Sequence, residues 1–289
     1  MERELWLLLY EIASKLGKHW GQWKYSTAEI VVVYLWCVLH DRPMAWGLDP
    51  MNWPDDLRPL VLPTHPTLSR RMRRPDSQWL LLEIEQSWLT LAQASQWLIR
   101  AIDGKPLAVS GVSKDADARY GRGAGGMQKG YKFYAVWATG PLPLAWALAP
   151  MNYSERTMAR RLIPTLPGSG YLLGDSEYDC NDLYELAAAA DHQLVARKRQ
   201  KHRGLGHRRQ SPHRLRGLEL LKDTFGKTLY RFRRQIERDF GNLVSFGGGL
   251  ASLPPWVRRF PRVRNWLHAK LLINAARWFH SHRNLIADA

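Results

Sequence analysis

Three acidic residues occupy positions where carboxylates could act on a polyanion. Asp103 follows the apolar run WLIRAI, and Asp175 follows the apolar run YLLG. Glu237 lies in YRFRRQIERDF, residues 230–240, among four arginines and aromatic residues. Clustered carboxylates repel one another unless a cation neutralises them, and their oxygens suit hard divalent ions such as Mg²⁺ or Mn²⁺. Two such ions could activate a nucleophile and stabilise the leaving oxygen of a phosphodiester.

Each of these acids also has an ordinary structural interpretation. An Asp before a Gly favours a turn, which would account for Asp103, and a turn could also account for Asp175. Glu237 has Arg233 four residues and Arg234 three residues before it, a spacing typical of ion pairs on a helix. However, two aspartates at the ends of strands in an α/β sheet can face one crevice. The three positions together therefore indicate a metal site.

The charge of the chain predicts a polyanionic partner. Its 289 residues include 42 Lys and Arg against 26 Asp and Glu, a formal charge of +16. Nucleic acid fits this balance better than a membrane, because the longest strongly apolar run, residues 30–39, is about half of what a spanning helix needs. No signal peptide is expected at the N-terminus, where acids flank the apolar patch. The two cysteines suit a reducing cytoplasm and are too few for a structural zinc site.

Residues 1–95 are predicted to form a helical region. The segments ELWLLLYEIASKLG and TAEIVVVYLWCVLH carry apolar residues at helical spacing. Farther along, Thr67 could cap a short basic helix, and Pro75 could separate it from a longer amphipathic one. This order suits a helix-turn-helix that meets DNA, although a helical bundle with a solvated basic face is the alternative. The basic residues of the short helix are Arg70, Arg71, Arg73 and Arg74.

From residue 96 the pattern changes to strands. The runs QWLIRAIDGKPLAVS, KGYKFYAVWAT and LPLAWALAPMN are rich in β-branched and aromatic residues and predict three successive strands. A helix capped by Ser154, a strand ending at Asp175, a helix capped by Asn181 and the strand QLVAR follow. This order predicts an α/β domain over residues 96–289, with a mixed sheet flanked by helices.

The acidic segments AIDGKPL, LLGDSEYD and YRFRRQIERDF resemble, in this order, the three acidic motifs of the DDE transposases of bacterial insertion sequences. One group of that family has the signature Y-x-x-R-x-x-x-E-x-x-x-x-x-x-K, and Tyr230, Arg233 and Glu237 have the matching spacings. Val244 replaces the final Lys, which in that family contacts DNA more often than metal. The segments LPTHPTLSRRMRR, GMQKGYKFYAV and RVRNWLHAKLLINAARWF are similar to the family's helix-turn-helix, second strand and closing helix.

The resemblance implies a ribonuclease-H-like fold and DNA transposition. Asp103, Asp175 and Glu237 would be the catalytic residues and would bind two Mg²⁺ ions, for which Mn²⁺ could substitute. The enzyme would cut at the ends of its element and join the freed 3′-hydroxyls to target DNA. Its partners would be the terminal inverted repeats and target DNA, bound by a dimer at the bacterial nucleoid in the cytoplasm.

A basic loop is predicted at residues 197–216, RKRQKHRGLGHRRQSPHRLR, which contain no acid. Such a segment does not bury a core by itself, and we expect it to clamp DNA, with a merely solvated loop as the alternative. Because Asp175 and Glu237 are 62 positions apart, the large insertion domain of some relatives is not expected. The predicted DNA contacts of the loop are Lys198, Arg199, Lys201 and Arg203, and the resemblance adds Tyr230, Arg233 and Arg234.

Two other functions are compatible with the sequence. The first is a DNA-binding relic of a transposase without catalytic activity, which Val244 favours and the intact acidic triad disfavours. The second is a nuclease of the same fold that cuts DNA without joining it. Products of strand transfer would distinguish the transposase from both.

Overall fold

The computed structural model describes residues 2–17, 23–93, 96–123, 125–200, 202–205, 209–246, 249–250 and 252–282. The chain forms two compact units. One comprises Met1–Ala92 together with Leu243–Ala289, and the other comprises Gln93–Asn242.

The helices and strands follow one another as predicted up to residue 196, with one additional strand. In chain order they are α1 (Glu2–Leu16), α2 (Thr27–Leu39), α3 (His65–Arg71), α4 (Pro75–Leu91), β1 (Ile99–Ala108), β2 (Arg119–Gly123), β3 (Gly126–Trp137), β4 (Ala145–Pro150), α5 (Glu155–Leu162), β5 (Gly170–Gly174), α6 (Asn181–Ala189), β6 (His192–Ala196), α7 (Pro212–Leu220), α8 (Thr224–Arg231), α9 (Arg234–Val244) and α10 (Phe260–Ser281). Helix α7 and the division between α8 and α9 were not predicted. None of the described helices combines the length and the apolar character that crossing a bilayer requires.

The helical unit is built around α2. Ser26 caps this helix through a capping box, in which its Oγ accepts from the Glu29 backbone N–H and the Glu29 carboxylate accepts from the Ser26 backbone N–H. Every residue from Ile30 to Leu39 is buried. A helix that is apolar on all sides belongs in the centre of a bundle, which explains why α2 lacks a polar face.

Helix α10 is part of this unit. The Asn265 side chain donates to the Met72 carbonyl at 3.0 Å, and the wholly buried Lys270 pairs with Asp41 at 2.6 Å. The division of the chain therefore differs from the predicted boundary, which placed all residues after 96 in one domain. The physical reason is that buried polar groups of α10 find their partners on the N-terminal segments.

The predicted helix-turn-helix segment forms two helices with altered boundaries. Thr64 rather than Thr67 precedes α3 as its N-cap residue, and Pro75 is the first residue of α4 rather than a terminator. Proline is favourable there because the first helical position needs no N–H donor.

One of the predicted DNA contacts in this segment is buried. Arg71 is only 3% exposed and binds Asp76 at 3.3 Å and the Tyr25 carbonyl at 3.0 Å. Its guanidinium therefore holds the helical unit together. The side chains of Arg70, Arg73 and Arg74 are exposed, although Arg74 also pairs with Asp76 at 3.4 Å.

The second unit contains a mixed six-stranded sheet. Strands β1, β5 and β6 are parallel, and β3 pairs antiparallel with β1. The order is β2-β3-β1-β5-β6, and β4 also pairs with β3. Strand β2 was not predicted; it forms a hairpin with β3 that closes at Gly126, whose φ of 110° suits glycine.

Aromatic side chains connect the sheet to a flanking helix. Phe133 and Trp137 on β3 meet Phe240 of α9 edge to face, with ring centroids 5.7 and 6.2 Å apart. Helices α6 and α7 pack on β6. The predicted α/β class, with a mixed sheet flanked by helices after an N-terminal helical region, is confirmed.

Candidate active site

Asp103 and Asp175 come to the same level on two neighbouring strands. The last parallel pair of β1 and β5 joins Ala101 to Leu173, and the two aspartates each follow two residues later. The sequence predicted that Asp103 ends its strand, but β1 continues to Ala108 in antiparallel pairing with β3. It lies instead where the parallel neighbour ends, and this edge is where ligands gather in α/β sheets.

Two tyrosines, Tyr178 and Tyr230, lie against Gly174, the residue before Asp175. The Oδ1 atom of Asp175 accepts a hydrogen bond from the Glu177 N–H at 2.8 Å. Asp175 thereby caps a short 3₁₀ turn, Ser176–Tyr178. A Cβ at Gly174 would lie 2.9 Å from the side chain of Tyr178, so glycine permits this close approach. The Tyr230 hydroxyl donates to the Gly174 carbonyl at 2.9 Å.

A third carboxylate joins the two aspartates. Asp103, Asp175 and Glu155 each offer an oxygen, and these three atoms lie within 4.8 Å of one another. Glu155 is the first residue of α5, and Lys132 of β3 binds its Oε1 at 2.6 Å. The sequence did not single out Glu155, because an acid in the first turn of a helix is ordinary.

Burial and charge perturb the groups of this cluster. Burial raises the pKa of Asp103 to about 6, while the Gly104 N–H and Arg233 oppose the shift. Tyr178 is fully buried, and its pKa is raised well above the ordinary value by burial and then by the charges of Glu155, Asp103 and Asp175. The site therefore concentrates negative charge in a place with little water.

Glu237 follows a tight turn and does not lie in one continuous helix with Tyr230. Helix α8 ends at Arg231, and the N–H groups of Phe232 and Arg233 donate to carbonyls three residues earlier. This turn directs Arg233 between two carboxylates, with Nη1 at 2.9 Å from Glu237 and Nη2 at 3.3 Å from Asp103. Glu237 is 57% exposed and is not part of the group of three.

A cleft of about 780 Å³ opens beside Asp175 and Glu237. Arg197 and Tyr230 both line this cleft, and the guanidinium of Arg197 lies 4.9 Å from the centre of the Tyr230 ring. The basic residues that line the cleft are Arg197, Lys227, Arg231, Arg233 and Arg234. Two acids among five basic side chains can attract phosphate while offering oxygens to a cation.

Part of the predicted basic loop is bound to an acidic residue, Asp179. The Arg199 N–H donates to Asp179 at 3.0 Å, and the Lys198 ammonium contacts the Arg203 carbonyl. Residues 212–216 belong to α7, and there Arg214 binds Asp179 at 2.6 Å. Arg199 and Arg203 are exposed. The predicted contact Lys201 lies outside the described residues.

The cluster fits a divalent cation by its chemistry. Its donors are carboxylate oxygens, which hard divalent ions prefer. Within the described part of the chain, the buried Oε2 of Glu155 and the hydroxyl of Tyr178 have no hydrogen-bond partner. Buried polar groups usually find partners, so a ligand is expected between them.

Comparison with known proteins agrees with this geometry. The family model of the transposase DDE domain matches residues 96–273, more than half of the chain, and this range includes Asp103, Asp175 and Glu237. No curated protein and no solved structure shows significant similarity. The matched family is a metal-dependent transposase domain that acts on DNA. The chain belongs to the transposase DDE domain family.

Proposed function

We propose that this transposase binds the terminal inverted repeats of an insertion sequence, cuts at the element ends and joins the freed 3′-hydroxyls to target DNA. The observation that carries the proposal is the meeting of Asp103 with Asp175 at one edge of the sheet, beside a basic cleft that also contains Glu237. A carboxylate site flanked by phosphate-binding side chains suits phosphoryl transfer.

Asp103, Asp175 and Glu237 would hold two Mg²⁺ ions, which Mn²⁺ could replace. When bound, these ions would activate water or a 3′-hydroxyl and stabilise the leaving oxygen. Arg233 balances the charges of Asp103 and Glu237 as long as no other cation does so. Once metal ions neutralise these carboxylates, the Arg233 guanidinium would be released to hold a phosphate of the DNA.

Basic side chains of both units would bind the DNA backbone. Around the cleft these include Arg234 together with Arg197, Lys227 and Arg231, and the loop contributes Lys198, Arg199, Lys201 and Arg203. In the helical unit the exposed arginines at 70, 73 and 74 would contact the terminal repeats. Such contacts supply affinity that falls steeply with salt.

The proposed reaction joins two ends of one element, so we expect two copies of the chain to act together on DNA. Each copy would position one end through its helical unit. The substrate would also place the protein at the nucleoid of the bacterial cytoplasm.

The experiment is an incubation of the purified protein with DNA carrying the element ends and a plasmid target. Mg²⁺ is compared with EDTA for the wild type, Asp175→Asn and the matched control Glu177→Gln, whose carboxylate is half exposed. Joined products that need Mg²⁺, persist in the control and vanish in Asp175→Asn support the proposal. Cleavage without joining would indicate a nuclease, and DNA binding without cleavage would indicate a relic.

A further inference from the structure

Glu155 is a partly buried carboxylate that the proposed function does not use. Its Oε1 is bound by the Lys132 ammonium at 2.6 Å, and its side chain is 18% exposed. Its Oε2 is buried and has no hydrogen-bond partner among the described residues. A charged oxygen in such a place costs free energy unless a donor or a cation meets it.

A simple ion pair explains only half of this arrangement. The start of a helix favours an acid, and Lys132 balances the charge of Glu155. Neither accounts for the unpartnered Oε2 of a carboxylate that has an oxygen within 4.8 Å of oxygens of Asp103 and Asp175. Three carboxylates that share so small a space gain from a common cation.

Tyr178 provides a second and independent observation. Its side chain is fully buried, and its hydroxyl has no hydrogen-bond partner in the described ranges. The hydroxyl lies close enough to Glu155, Asp103 and Asp175 for the charge of each carboxylate to raise its pKa. A phenol in this position can hydrogen-bond to a water molecule on a bound ion.

The position of Glu155 is fixed by the fold. The Ser154 side chain caps α5 by accepting from the Thr157 N–H at 3.2 Å. The Tyr134 hydroxyl donates to the Tyr153 carbonyl at 2.6 Å, which ties the start of the helix to β3. A ligand held by its neighbours in this way loses little conformational freedom when a metal binds.

We propose that Glu155 is a further carboxylate of the metal site, which binds a divalent cation through Oε2 together with Asp103 and Asp175, while Lys132 holds Oε1. This inference rests on the proposed function, since it uses two of the same aspartates. It adds a ligand from α5 to those from β1, from the end of β5 and from α9.

The test is a titration of the full-length protein with Mn²⁺, in which the free ion is measured by electron paramagnetic resonance. The variants are Glu155→Gln, Asp175→Asn, Lys132→Met and the control Glu177→Gln. We expect Glu155→Gln to weaken Mn²⁺ binding by about tenfold or more, as loss of a supporting group at a metal site does. Glu177→Gln should bind as the wild type does, and Lys132→Met should retain most of the affinity because Oε2 remains.

The outcomes separate this inference from the proposed function. Wild-type affinity in Glu155→Gln, with binding lost in Asp175→Asn, overturns the role of Glu155 alone. Wild-type affinity in Asp175→Asn, or no binding by the wild type, overturns both. Equal losses of Mn²⁺ binding in Glu155→Gln and Lys132→Met would show that the ion pair matters rather than the ligand.

A measurement on the wild type avoids any variant that folds poorly. Fe²⁺ with peroxide cuts a protein chain next to the bound metal. Cuts beside Glu155, in addition to those beside Asp103 and Asp175, are expected. Cuts beside the two aspartates without one at the start of α5 would contradict the inference.

Discussion

Arg233 and Asp103 form an ion pair of 3.3 Å across 130 positions of the chain. The same guanidinium binds Glu237 at 2.9 Å, so one cation lies between two of the three predicted catalytic carboxylates. This contact ties the turn between α8 and α9 to β1. The ion pair of Arg233 and Glu237 expected from helical spacing is present, but it is part of a larger arrangement.

Arg233→Ala should destabilise the protein mainly when no divalent cation is added. The variant leaves the mostly buried Asp103 without its partner, which should cost roughly 1–3 kcal/mol of unfolding free energy. Mg²⁺ should reduce that deficit, because it can replace the missing charge. Urea unfolding with EDTA and with Mg²⁺ measures this, and Arg238→Ala, which removes an exposed arginine of α9, is the control. An equal deficit under both conditions would refute the explanation.

Tyr230→Phe should affect catalysis through position rather than metal binding. The variant removes the 2.9 Å hydrogen bond to the Gly174 carbonyl, next to Asp175. We expect a loss of about 1 kcal/mol of stability and joining slower by about tenfold, since each 1.4 kcal/mol of barrier is worth that factor. Mn²⁺ affinity should stay near that of the wild type. Tyr120→Phe, at an exposed tyrosine of β2, should change neither rate nor stability.

Val244→Lys should strengthen DNA binding. Val244 is 40% exposed at the end of α9, so the change should alter stability by less than about 0.5 kcal/mol. One additional phosphate contact should make the slope of log affinity against log salt steeper by about 0.9. Fluorescence anisotropy at several salt concentrations measures this slope, with Val244→Gln as the uncharged control. The same slope for both variants would show that position 244 does not meet DNA.

Acid should weaken the fold through His192. Burial lowers the pKa of this imidazole, and the charge of Arg100 lowers it further. The guanidinium donates to Nε2, which leaves Nδ1 to donate to the Ala190 carbonyl and keeps the ring neutral. As pH falls through 6.5, the unfolded chain takes up a proton that the folded chain resists, so stability decreases below that pH.

His192→Asn should remove this part of the pH dependence. The melting temperature of both proteins is measured between neutral and mildly acidic pH. We expect the variant to start from a lower stability, but its decline towards acid should be shallower than that of the wild type. Parallel declines would show that His192 does not titrate as described.

The sequence predicted the parts of the site that depend on local pattern. An acid directly after an apolar run placed Asp103 and Asp175 at the sheet, and the strand order brought them together. The division of YRFRRQIERDF into two helices was missed, because the turn at Phe232 accompanies a contact of Arg233 with a residue far away in sequence. Glu155 was missed for a related reason, since only the folded chain brings it to the aspartates.

The placement of charged residues in the helical unit was harder to predict. A run of arginines in the sequence does not reveal that Arg71 is buried against Asp76 while its neighbours are exposed. The family resemblance predicted α10 as a closing helix, but it does not show which core receives this helix. Lys270 illustrates this, because its buried ammonium binds the Val38 carbonyl and Asp41, which lie 232 and 229 positions earlier.

The most direct test of the central claim uses DNA with already exposed 3′-hydroxyls at the element ends and a plasmid target. Joining is measured in Mg²⁺ for the wild type, Asp103→Asn, Asp175→Asn, Glu237→Gln and the control Glu177→Gln. If the three carboxylates form one metal site, each of the first three variants loses joining while DNA binding remains, and the control joins as the wild type does. Joining at the wild-type rate in any of the three variants would contradict the account.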